Sequence, residues 1–105
     1  MPTFAVRTVH HTGWDDQRPM RQQDAWAEHA SFMNALAADG FVILGGPLGA
    51  DGGHSGGHGA LLIVEAADED QIVARLNADP WAQQHILAIE TIEQWTILLD
   101  SRDDH

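Results

Sequence analysis

The chain has no cysteine, no lysine and no tyrosine among its 105 residues. Without cysteine, disulfides, thiolate metal sites and thiol nucleophiles are excluded. Without lysine, neither a Schiff base nor a lysine general base is available. No apolar run approaches the roughly 20 residues a helix needs to span a bilayer. The first residues, MPTFAVRTVHH, lack the basic-then-apolar layout of a secretory signal. These absences predict a cytoplasmic protein with no membrane partner. Positive charge is also scarce. Arg7, Arg18, Arg21, Arg75 and Arg102 stand against 16 acidic residues, for a net charge of -11. Such a chain repels phosphate backbones, which disfavours nucleic acid as a partner.

What is present suits one small domain spanning residues 1–105, long enough for a single core with little to spare. Its core is expected over about residues 3–99, with a glycine-rich loop at 48–59 and a charged tail at 100–105 that frays.

The central stretch is His29 to Pro47, HASFMNALAADGFVILGGP. Ala25, His29, Phe32, Met33 and Leu36 fall on one stripe of a 3.6-residue period, so a helix runs to about Asp39, with Asp24 as its N-cap. Gly40 is placed to end it in the left-handed conformation. Phe41 to Leu44 is a short buried strand, and Gly45, Gly46 and Pro47 turn the chain. Ahead of the helix, Thr3 to His11 alternates as a strand whose Phe4, Val6, Thr8 and His10 face inward. Residues 12–23 form a long loop in which Trp14 and Met20 cover either a pocket or the edge of the fold. After the central stretch, LGADGGHSGGHG is half glycine and reads as a mobile, hairpin-like connection. Ala60 to Ala66 is strand-like, and Asp68 to Gln71 is a capping box opening a helix that ends near Asn77. Asp79-Pro80 starts another short helix. Leu87 to Leu99 reads as one long strand with a bulge or bend near Glu93, or as two short ones.

The order β-α-β-β-α-β predicts an α+β fold, the ferredoxin-like sandwich, with strands 1 and 3 central and both helices on one face. The other face needs a cover, and a second subunit's sheet is the expected one, making a homodimer.

The ordered set His29, Gly46-Pro47 and Asp79-Pro80-Trp81, laid on this element order, resembles the YCII-related family over about residues 4–99. The resemblance implies a ferredoxin-like domain that dimerises into an α/β barrel. It also implies a cleft with a histidine/aspartate pair, which by motif position falls on His29 and Asp79. One branch of that family is similar to dehydrochlorinases acting on chlorinated hydroxyquinols. Two features depart from the pattern. Trp26 stands where members often carry an arginine one turn before the helix histidine, leaving Arg21 as the nearest, and the glycine loop carries histidines.

Read residue by residue, His29 is either a general acid and base or a core-edge histidine bonded to a backbone carbonyl. Capping alone accounts for Asp79. The two roles are compatible, because a cap carboxylate can also orient an imidazole. The catalytic assignment is therefore His29 as proton shuttle and Asp79 as its orienter. His10 either enters the same cleft or is a satisfied edge histidine. Arg21, or Arg18, either clamps an anionic substrate or is solvated. Gly46 and Pro47 complete the substrate-binding set. His54 and His58 could hold zinc or nickel weakly, but glycines argue against a helix presenting both, and no metal is expected. The glycine loop has neither a phosphate-loop lysine nor a dinucleotide fingerprint, so no cofactor is expected. The function expected is a cofactor-independent lyase or isomerase acting on a small organic, aromatic or cyclic, substrate. The alternative is a non-catalytic small-molecule-binding or assembly module. Fold analogy alone adds a third, a cofactor-free monooxygenase.

Overall fold

The computed structural model describes residues 1–55 and 57–102. Residues 103–105 of the charged tail, and Gly56 of the glycine loop, lie outside them. Four strands and three helices follow one another as β1 (Thr3–His10), α1 (Trp26–Ala38), β2 (Val42–Pro47), β3 (Ala60–Glu65), α2 (Glu69–Leu76), α3 (Pro80–Gln83) and β4 (Leu87–Gln94). The sheet order is β2-β3-β1-β4 with every pair antiparallel, the ferredoxin-like arrangement with β1 and β3 central.

Alternation along β1 turns Phe4, Val6 and Thr8 inward, as the sequence predicts. Phe4 and Val6 meet Leu62 and Val64 of β3, Leu36 of α1, and Ile72 and Leu76 of α2 in one core, so both helices cover the same face. Helix α1 stops at Gly40, whose φ of 84° is the left-handed conformation that glycine adopts without strain. Just beyond, the Phe41 amide and then the Arg75 guanidinium hold the Asp39 carboxyl below the usual carboxylate range. At α2 the Asp68 side chain accepts from Gln71 N–H, while Gln71 Oε1 accepts from Ala67 N–H, closing the capping box one residue further out.

Four local expectations are corrected. Asp24 does not cap α1. Ala25 occupies that position at φ 58°, and the Asp24 carboxylate turns to Arg18 at 3.3 Å instead. Gly45, Gly46 and Pro47 are not a turn but the end of β2, facing Leu62, Leu61 and Ala60. Pro47 is tolerated because β2 is an edge strand, where a missing N–H breaks no second ladder. The irregularity in β4 lies at Glu90 rather than Glu93. Arg7 faces Thr91 and Thr8 faces Ile89, which leaves Glu90 as the bulged residue. The strand also ends at Gln94; Trp95 keeps one bond to the Thr3 carbonyl, but 95–99 do not continue the ladder.

The loop after β1 is more built than its sequence suggests. Pro19 leads into a single 3-10 turn, Met20–Gln22. The buried Gln23 amide donates to the carbonyls of Asp15 and Arg18 and accepts from Asp15 N–H. Gly13 packs so closely on the end of α3 that an added Cβ would sit 2.7 Å from the Gln84 carbonyl oxygen. Met20 N–H donates to the His54 carbonyl, which joins this loop to the glycine loop. The glycine loop is itself closed by a Leu48 N–H bond to the Gly59 carbonyl. Among the described residues, no helix is long and apolar enough to cross a membrane.

Candidate active site

Helix α1 presents His29 on its inner stripe, and the α2–α3 connection brings Asp79 to meet it. His29 Nδ1 lies 2.7 Å from Asp79 Oδ2 and 2.9 Å from Oδ1, with the two side chains only 12% and 8% exposed. A carboxylate can only accept, so the imidazole donates its Nδ1–H and leaves Nε2 as the basic nitrogen. Nε2 makes no hydrogen bond among the described residues and is not sealed within the core. Asp79 remains the N-cap of α3 at the same time, its Oδ1 accepting from Trp81 N–H at 3.0 Å. One carboxylate therefore satisfies a helix end and orients an imidazole.

Trp81, which the sequence reading assigned no role, holds the other side of the pair. Its indole stacks on the His29 ring at 3.8 Å between centroids and 5° between planes. Its Nε1–H donates to the Asp24 carbonyl at 2.7 Å, so the indole cannot rotate without breaking that bond. Trp14 meets it edge-on and Trp26 leans on it, at 5.6 and 5.7 Å. His10 stacks flat on Trp14 at 3.6 Å.

These rings wall a cavity of about 310 Å³ that includes His29 and Asp79. His10, Gly46 and Pro47 line it too, as do Trp14 and Met20 from the long loop. Small residues, Gly45, Gly46, Gly59 and Ala60, also border it, and a Cβ at Gly45 would sit 2.6 Å from the Leu62 side chain. Arg21 is not part of the wall. Its guanidinium lies 5.8 Å from the ring centre of Trp26, one indole removed from the space. Arg18 is held by Asp15 and Asp24. It borders a second cavity of about 280 Å³, which also touches His54 and shares the His10–Trp14 stack with the first. Among the described residues, no three His, Asp or Glu side chains converge as metal ligands.

His29 was legible from periodicity, and His10 from alternation. The Asp-Pro-aromatic step was the one signal for Trp81, and nothing local tied it to an imidazole 52 residues earlier in the chain, as its stack on His29 requires.

The chain matches the model of the YCII-related domain over residues 6–96. No curated protein sequence matches it. Among solved structures it is similar to the 5-chloro-2-hydroxyhydroquinone dehydrochlorinase TftG of Burkholderia phenoliruptrix AC1100, in complex with 2,5-dihydroxybenzoquinone. That likeness has 28% identity and a TM-score of 0.66, covering 90% of this chain and 93% of the other. With its strand order and the family match in agreement, the chain belongs to the YCII-related family.

Proposed function

We propose that the protein is a small enzyme that moves protons on a single-ring, oxygenated organic substrate, as a lyase or isomerase. The observation that carries this reading is the setting of His29: it lines a cavity, its Nδ1 is engaged by Asp79, and its Nε2 makes no hydrogen bond among the described residues. At about 310 Å³ the cavity is at the small end of ligand pockets, the size range of one ring. Its aromatic walls suit a planar molecule. In an elimination, Nε2 takes a proton from a ring hydroxyl and the electron pair moves into the ring. The imidazolium then returns that proton to a ring carbon. The leaving group departs with its bonding pair, a second hydroxyl gives up its proton to water, and the ring carries two carbonyls. Throughout, Asp79 holds the imidazole's tautomer and offsets the positive charge on it. Neither an external oxidant nor a covalent nucleophile is required. TftG, whose name specifies a chlorinated hydroxyhydroquinone, supports the choice of substrate class.

The working form is proposed to be a homodimer. The sheet face opposite the helices carries Ala5, Val9 and Leu61 in alternation with the core residues, and Trp95, Leu98 and Leu99 remain exposed beside β4's end. A second sheet laid on that face would cover them.

The test is anaerobic incubation with 5-chloro-2-hydroxyhydroquinone and measurement of released chloride, with light scattering on the same sample. Turnover by a species of two chains is expected, and none above background from a folded His29→Gln variant. Equal chloride release by that variant removes His29 from the chemistry. No release by the wild type from any of a panel of halogenated hydroxyquinols removes the elimination reading.

A further inference from the structure

Thr8 stands on the β1 face that otherwise carries Phe4 and Val6, and it is only 8% exposed. Its Oγ1 is closed to solvent and has no hydrogen-bond partner, the one buried side-chain polar atom in that condition among the described residues. A buried hydroxyl left unpaired costs free energy, and valine would fill the same strand position without that cost. The neighbours do not relieve it. Across the sheet Thr8 faces Ile89 and Ala60, whose side chains offer no donor or acceptor. Thr8 does, however, line the cavity that holds His29 and Asp79, on a wall made mostly of indoles, aliphatic groups and glycine.

We propose that Thr8 is the residue that recognises an oxygen substituent on the substrate ring. The inference rests on the reading of the cavity as a site for an oxygenated ring, and adds which protein atom meets the oxygen. Rotation of about 120° about the Cα–Cβ bond carries the hydroxyl to the place now held by the methyl or by the hydrogen, so the hydroxyl can turn to an occupant. A hydroxyl is suited to both the phenolic and the quinone form of the ring that the elimination relates. It accepts from a phenolic O–H before reaction and donates to a quinone carbonyl after it, without carrying charge in either state. A site with such a group discriminates strongly against rings that lack the oxygen, because the group is then left unpaired.

The test compares wild type, Thr8→Val and Thr8→Ser by calorimetric titration with 2,5-dihydroxybenzoquinone and with chlorobenzene, a ring without oxygen, and by thermal melting. Thr8→Val is expected to bind the quinone roughly tenfold more weakly. It should bind chlorobenzene at least as well as wild type and melt no lower than wild type. Thr8→Ser, which keeps the hydroxyl, should recover most of the quinone affinity. Unchanged quinone affinity in Thr8→Val overturns the assignment. So does a parallel loss for both rings, or a lowered melting temperature, either of which marks Thr8 as a structural residue. The chloride-release assay separates the two proposals. A wild type that turns over while Thr8→Val binds the quinone normally loses only the Thr8 assignment. A wild type that neither turns over nor binds the quinone loses both.

Discussion

Replacing Asp79 by asparagine is expected to leave a folded protein whose turnover is lower by on the order of 10,000-fold. The two duties of this carboxylate respond differently to the change. As a cap, asparagine is about as good as aspartate, and its Oδ1 can still accept from Trp81 N–H. As an orienter it fails. Where two carboxylate oxygens now face His29 Nδ1 at 2.7 and 2.9 Å, an amide can turn its NH₂ there only if Nδ1 becomes the acceptor. The proton then moves to Nε2, the nitrogen that must be basic toward the cavity. If the amide turns the other way, the positive charge that develops on the imidazole is no longer offset. Chloride release and thermal melting of the same preparations check this. A fall in activity without a fall in melting temperature separates orientation from capping, whereas Asp79→Ala should lose both. Retained turnover in Asp79→Asn would mean that the short contact to His29 serves packing alone.

Replacing Trp81 by alanine should destabilise the fold by about 3–5 kcal/mol, the range for emptying a large buried aromatic site. The indole is 2% exposed and contacts three other rings, so its removal empties a space bordered by stiff groups. The change also leaves the Asp24 carbonyl without its donor. Against a typical domain stability of roughly 5–15 kcal/mol, this is a large share. Urea unfolding monitored by far-ultraviolet circular dichroism measures it. Trp81→Phe retains a ring to stack on His29 but not the Nε1–H, and should cost markedly less than the alanine variant. A loss below about 1 kcal/mol for alanine would contradict the packing described, because surface-like positions fall in that range.

Much of the fold was readable because each element carried a local signal. The stripe through His29, Phe32, Met33 and Leu36, the stop at Gly40, the box at Asp68 and the Asp79-Pro80 start are all confined to a few consecutive residues. The errors came where a distant partner overrode a local preference. Gly45, Gly46 and Pro47 carry turn chemistry, yet pairing with Leu62, Leu61 and Ala60 draws them into an edge strand. Asp24 is a good cap by type, yet Arg18 takes its carboxylate, while its carbonyl serves Trp81. The site divides in the same way. His29 and His10 could be placed by period. Asp79 could be linked to His29 only through the family pattern, since capping accounts for it locally. Neither the flat stack of Trp81 on His29 nor the orphaned hydroxyl of Thr8 leaves a trace in the neighbouring residues, because each depends on what the chain brings opposite.

The extra residue in β4 works as a change of reading frame. Strict odd-and-even parity along a strand cannot send both Ile89 and Ile92 to the same side, yet both pack against the core, opposite Thr8 and Val6. Skipping Glu90 from the count resets the parity midway. The half of β4 beside Phe4 and Val6 is therefore spelled in one phase, and the half beside the cavity, with Leu87 and Ile89, in the other. The sheet is written as two words with a space between them. The cavity end can change its letters without respelling the end that holds the helices.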